Sequence, residues 1–174
     1  MLDVVVAFLN TLDERSFSRH GVAHTGGDAL GSPAALADWC ADHGLSAAEP
    51  VGEEELAAAV ELRAGLRAAM AGTDTDADAV LARFPLRLAT LGPPGALDLV
   101  ADGLHPALGR LVVAVARAVA DGRWRRVRLC AAPDCRWAFH DTSRNGAGRW
   151  CAMATCGNRH KTRTYRERRR EESV

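Results

Sequence analysis

Lysine is nearly missing from this chain. Lys161 is the single lysine among twenty-two basic residues in 174, and the other twenty-one are arginine. An arginine fork reads phosphates and guanine edges bidentately, whereas an ammonium is a point charge, so the bias suits a nucleic-acid partner; a GC-rich genome produces the same bias. Aromatic residues are also scarce, at 5 %. Beyond Tyr165, Trp137 and Trp150 the finger is expected to expose no aromatic faces for stacking single-stranded bases, which places RNA behind duplex DNA as an expected partner. No apolar run approaches the roughly eighteen residues of a bilayer span, so no membrane helix is expected. The opening Met1-Leu2-Asp3-Val4 has no basic region, apolar stretch or small-residue cleavage signal, and we therefore expect a cytoplasmic, reducing setting. Catalytic signatures are missing too: there is no Gly-x-Ser-x-Gly elbow, no phosphate-cradling glycine loop and no His-Glu-x-x-His pair. An enzyme is not expected.

What is present is concentrated near the C-terminus. Cys130 and Cys135, then Cys151 and Cys156, form two pairs with four residues inside each pair and fifteen between them. Two knuckles at that spacing let one small unit supply four thiolates to a tetrahedral zinc ion. Disulfides are the alternative, and a reducing compartment argues against them. Cys40 has no cysteine near it and is read as a small core residue. A zinc held by four thiolates has no open position for water, so the site would be structural. His20 and His24 with Asp28, on a glycine-rich stretch, are a weaker candidate for a second metal.

Charge divides the chain sharply. The net charge is zero, yet residues 1–122 carry eight Arg against seventeen acids (−9) and residues 123–174 carry fourteen basic residues against five acids (+9). Such asymmetry points to a polyanionic partner for the basic part, with internal neutralisation as the bland alternative. The sign changes at Asp121-Gly122-Arg123-Trp124, which sets an expected boundary between an N-terminal domain, 1–122, and a C-terminal unit, 123–174.

Within 1–122 the pattern predicts a mainly helical domain with one small β-hairpin, an α+β arrangement. Val4 to Leu9 reads as a helix ending near Asn10 or Thr11, and Arg15 to Gly31, with its glycines and histidines, reads as a loop. Ser32-Pro33 caps a helix that ends before Gly44. A longer helix runs from Glu53 to Met70, and Arg63 interrupts its apolar stripe, where it needs either a carboxylate partner or an anionic ligand. Ala71 to Ala79 is polar connection. Residues near 86–101 alternate around Gly92-Pro93-Pro94-Gly95 as a β-hairpin, and His105-Pro106 opens a helix closed by Gly122. In 123–174 short strands lead into and out of the first knuckle. The unit has too few apolar residues for a core of its own, so metal binding, worth on the order of 10–16 kcal/mol, must supply its stability.

Arg149-Trp150-Cys151 through Cys156-Gly157-Asn158-Arg159 resembles the CGNR zinc-finger family. The resemblance reaches back through Ser143-Arg144-Asn145 and Phe139-His140-Asp141 to Cys130 and Cys135. Phe8-Leu9-Asn10-Thr11 and Leu62-Arg63 are similar to the ABATE domain of bacterial stress-induced transcription regulators. The resemblance implies a bacterial DNA-binding regulator with zinc on the four cysteines. From the residues themselves, a helix running from Ala152 to Arg170 would be basic nearly all round. We expect it to lie in a DNA groove, with Asn158 and Arg159 toward base edges and Lys161, Arg163, Arg166, Arg168 and Arg149 toward phosphates. Each of the first two has a local alternative: Asn158 bonds the knuckle backbone, or Arg159 bridges to Asp134 or Asp141. The N-terminal domain is expected to sense a small-molecule effector or to form a homodimer, with Asn10 and Arg63 as candidates for an enclosed ligand site or a structural polar site. The competing reading is a protein-interaction module with a purely structural zinc.

Overall fold

The computed structural model describes residues 1–174 apart from 20–21, 46–48, 73–76, 104 and 172–174. The first helix, α1 (Leu2–Leu9), forms because Leu2, Val5, Phe8 and Leu9 recur at helical spacing and all four are buried, which outweighs the strand preference of the three valines. It ends at Asn10. Helix α2 (Pro33–Asp42) opens as read, with Ser32 Oγ accepting from the Ala35 amide at 3.2 Å and proline in the first turn. Three glutamates open α3 (Glu53–Ala71), and Glu55 folds back to accept from the Gly52 amide at 2.8 Å. The hairpin of β3 (Leu86–Thr90) and β4 (Leu97–Ala101) pairs Leu88 with Leu99 and flanks the Gly-Pro-Pro-Gly turn. Helix α5 (Pro106–Ala120) is capped by His105, whose Nδ1 accepts from the Ala107 amide at 3.3 Å.

Two stretches differ from the sequence reading. Residues read as a loop from Arg15 onward form an antiparallel hairpin, β1 (Leu12–Arg19) with β2 (Val22–Asp28), bulged between Asp13 and Ser16. Both strands are polar on most positions, so they carry no alternation to betray them. Gly26 is not a flexible point: a Cβ there would collide with the Asp13 carbonyl, so the glycine permits close backbone approach at the bulge. Further on, Ala77–Ala82 forms a short helix, α4, where the polar connection was expected to continue, and Val80 and Leu81 pack over Gly65 of α3. The architecture is therefore mixed α and β: of three two-stranded sheets among the described residues, two lie in the helical N-terminal part where one hairpin was expected, and the third is the pair of short strands expected at the first knuckle. None of the described helices is long and apolar enough to cross a membrane.

The core forms where α1, α3 and α5 meet, around Phe8, Leu9, Leu62, Leu66, Leu108 and Leu111. Each such side chain contributes roughly 1.5–3 kcal/mol by leaving water. The same core takes in Val127 of β5 (Val127–Leu129) and Ala138 of β6 (Ala138–His140), so apolar packing runs across the point where the charge changes sign.

Two arginines lie inside this packing, one turn apart on α3. Arg63 donates through Nη1 and Nη2 to the two oxygens of Asp28 at 2.6 and 2.5 Å and through Nη1 to Thr11 Oγ1 at 2.8 Å. Arg67 donates to the Leu9 carbonyl at 2.9 Å, to the Arg136 carbonyl at 3.0 Å and to Glu14. Together they fasten the β1–β2 hairpin to α3. Replacing Asp28 by Ala strands the buried Arg63 guanidinium and should lower the unfolding free energy by about 3 kcal/mol, the lower end of the usual penalty because Asp28 itself is partly exposed. Asp28 has its pKa lowered by the Arg63 hydrogen bonds, so its contribution is full above about pH 4, the ordinary carboxylate value, and fades as the pH falls through the lower folded value. Urea melts from pH 7 down to pH 2 should show Asp28→Asn losing less stability on acidification than the parent chain.

Candidate metal centre and basic helix

The first knuckle grows out of β5. The Cys130 amide donates to the Trp137 carbonyl at 2.9 Å, and the Cys135 and Arg136 amides both return to the Ala132 carbonyl, at 3.0 and 3.2 Å. Closing that turn places Arg136 at φ +49°, a conformation that costs a non-glycine residue roughly 1–2 kcal/mol. The Arg67 bond to its carbonyl holds it there. The second knuckle is a widened turn, Met153–Gly157, which leads directly into α6 (Asn158–Glu171). Gly157 is buried against Trp150 and Met153, so closely that a Cβ would push the methionine aside. The Ala131 amide joins the two knuckles by donating to the Arg149 carbonyl at 2.8 Å.

The four sulfurs of Cys130, Cys135, Cys151 and Cys156 all lie within 4.8 Å of one another. Cys151 Sγ stands 3.7 Å from both Cys135 Sγ and Cys156 Sγ. A tetrahedron with metal–sulfur bonds of about 2.3 Å has edges of about 3.8 Å, so the cage fits a tetrahedral thiophilic cation. Burial pushes the Cys135 thiol up to about 12 and Cys151 higher still, so these sulfurs do not ionise without a cation among them. Burial opposes ionisation of Cys156 as well, but the Arg159 hydrogen bond and the neighbouring thiols lower its pKa overall. Cys40 is buried in the main core, away from this cluster.

A belt of polar and aromatic contacts surrounds the cage. Arg159 donates to Cys156 Sγ at 3.3 Å, pairs with Asp134 at 3.2 Å and lies 3.9 Å above the Phe17 ring. Arg15 lies 4.0 Å over Trp137, and the Ser16 amide donates to the Asp134 carbonyl at 3.1 Å. Asn10 reads both sides of Ala138: its Nδ2 donates to the carbonyl at 2.9 Å and its Oδ1 accepts from the amide at 2.7 Å. The loop between the knuckles is drawn around buried Asp141, which accepts from the Ser143 and Gly148 amides at 3.0 and 2.8 Å. Hydrogen bonds from Ser143 and then Gly148 hold that carboxyl down at about 2.

The residues expected to meet DNA separate into two groups. Lys161, Arg163, Arg166 and Arg168 are exposed along α6, and exposed Arg149 sits 5.0 Å from the Trp150 ring. Arg159 instead points inward onto Asp134 and the cysteine cage, and Asn158, though exposed, places Nδ2 3.4 Å from the Ala154 carbonyl. Asn10 and Arg63 do not come together around a ligand space: the first holds β6 and the second holds Asp28. His24 faces Asp13 at 3.1 Å rather than Asp28, and His20 lies outside the described residues.

Sequence reading missed Arg67, Arg15 and Phe17. Arg67 was visible in principle, four residues beyond Arg63 on the same face. Arg15 and Phe17 share one face of β1 by strand alternation, a signal lost once the segment was read as loop. Replacing Asn10 by Ala leaves the Ala138 amide and carbonyl without partners and should cost about 2 kcal/mol; hydrogen exchange should show β5 and β6 losing protection before α5 does.

Residues 126–169 match the family model described as the CGNR zinc finger. CGNR zinc fingers are regulatory, DNA-binding modules and not catalytic domains. The match covers both knuckles and nearly all of α6 and does not extend to α1–α5. No curated protein matches the chain.

Proposed function

We propose that this protein is a zinc-containing, DNA-binding transcription regulator of bacteria, working in the cytoplasm at the nucleoid. The observation that carries the reading is the placement of α6: an exposed, arginine-rich helix leaves directly from a four-sulfur cage and is tied back to it through Arg159. Zinc is the cation that such a thiolate set takes when its role is structural. Cys130, Cys135, Cys151 and Cys156 would hold it, and its charge would compensate thiolates that burial otherwise opposes. With all four positions filled by sulfur, the metal supports geometry and leaves chemistry aside.

Helix α6 is too polar to be stabilised by packing alone, and a helix of this charge gains most by lying along a polyanion. Lys161, Arg163, Arg166, Arg168 and Arg149 are assigned to phosphates. Asn158, at the exposed start of the helix, is the candidate for a base edge. Arg159 is reassigned: it positions α6 on the cage and takes no part in base reading.

The N-terminal part supplies the regulatory half of the proposal. Its similarity to the ABATE domain, and with it a stress-response role, rests on Phe8-Leu9-Asn10-Thr11 and Leu62-Arg63 alone. Exposed Leu88, Leu91, Leu97 and Val119 favour a homodimer through the β3–β4 hairpin. A cavity of about 760 Å³ between β4 and α5, lined by apolar side chains together with Asp98, Arg110, Arg117 and Arg123, suits an effector better than Asn10 or Arg63 do. The alternative, an interaction module that uses α6 to grip an acidic protein, draws on the same charge; within the chain Glu55 and Glu61 of α3 already serve Gly52 and Arg83.

Freshly purified protein should carry one zinc per chain by elemental analysis, and Cys156→Ser should lose it. The zinc-loaded protein should bind duplex DNA with an affinity that falls by about 0.9 log unit per log unit of salt for each phosphate contacted. Replacing Arg163 and Arg166 together by Ala should flatten that slope by about 1.8. Undetectable duplex binding at low salt would overturn the DNA reading.

A further inference from the structure

The two long sides of α6 are not equivalent. Arg159, Arg163, Arg166 and Arg170 recur at intervals of three and four and so form one row, whereas Lys161, Tyr165 and Arg168 lie on the other side. From Arg163 outward the arginine row is exposed, but beyond it stands more of the chain. The row forms one wall of a groove of about 720 Å³ whose other wall is the β1 strand at Phe17 and Ser18. Arg159 and Phe17 close the inner end through their 3.9 Å stacking contact, and Asp134 is already engaged there by Arg159 and, at 3.9 Å, by Arg163. Farther out, Arg166 and Arg170 face the groove with Glu167 as the only carboxylate that α6 adds to it.

We infer that this groove holds one sugar–phosphate strand of the DNA duplex, so that the β1–β2 hairpin of the N-terminal part is itself a wall of the nucleic-acid site. The inference rests on the DNA reading above and narrows it. A helix in the major groove has a phosphate backbone on each side. The row Arg163, Arg166 and Arg170 takes one of them, enclosed against β1, and Lys161 with Arg168 takes the other, which stays open to solvent. The charge argues for this occupant: guanidinium groups recurring along one side of the helix match repeated phosphates, which they can contact bidentately. Ser18 is exposed in the groove and adds no charge, as a wall passing close to a backbone requires. The hairpin is held in place by Arg63, Arg67 and the Arg15–Trp137 contact.

The test places a photo-reactive benzoylphenylalanine at position 18 in the full zinc-loaded chain and irradiates it with duplex DNA labelled on either strand. We expect cross-linking to the DNA, and in an asymmetric site predominantly to one strand. In parallel, Ser18→Glu should weaken duplex binding at least five-fold at low salt while Ser18→Ala leaves it unchanged, with zinc content and circular dichroism the same for both. If the parent chain binds duplex DNA but Ser18→Glu binds as tightly and position 18 does not cross-link, the groove assignment falls and the DNA reading survives. If the parent chain binds no duplex at all, both fall. Cross-linking of position 18 to an acidic peptide in preference to DNA would overturn the assignment in favour of a protein ligand.

Discussion

Four cysteine sulfurs held within 4.8 Å of one another are the constraint around which the C-terminal third is arranged. Burial holds the Cys135 and Cys151 thiols against ionisation, and thiolates that closely spaced repel, so an ionised cage calls for positive charge among or beside it. The structure supplies part of that charge from its own residues through Arg159, and a cation of the proposed kind would supply the rest. The turn at Arg136, the absence of a side chain at Gly157 and the clamp on Asp141 are each local costs accepted to bring the two knuckles into register.

The cage is not an isolated appendage. Asn10 holds Ala138, Arg67 holds the Arg136 carbonyl, Arg15 covers Trp137 and Phe17 underlies Arg159. Four side chains from the first seventy residues thus reach the segment that follows the first knuckle and the start of α6. The direction in which α6 leaves the molecule is therefore set jointly, by the sulfurs on one side and by the β1–β2 hairpin on the other. A change that loosens the hairpin, whether by mutation or by a ligand bound to the N-terminal part, has a short mechanical route to the basic helix.

Much of the chain was readable without coordinates. The capped helices α2, α3 and α5 and the β3–β4 hairpin carried start and stop signals strong enough to bound them, because a cap or a turn satisfies its own backbone groups locally. The β1–β2 hairpin was not readable. Its strands are polar on both faces and contain paired glycines, and what makes them strands is docking: Arg63 and Arg67 from α3 grip Asp28 and Glu14, and the finger covers Arg15 and Phe17.

The candidate site divides along the same line. Spacing alone named all four cysteines and the helix that follows them, since ligand chemistry and helical periodicity are properties of short segments. The local sequence also placed an arginine beside the last cysteine, but its direction was beyond reach: whether Arg159 faces a solvent-side partner or the sulfur cage depends on Asp134, twenty-five residues earlier, and on Phe17, far up the chain. Likewise Arg63 and Asn10 were identified as polar groups in need of partners, and only the packed fold showed those partners to be Asp28 and the Ala138 backbone. Residue types and their intervals determined which groups had to be satisfied, and tertiary contact decided by what, because the partner of a buried polar group is chosen by distance in space and not along the chain.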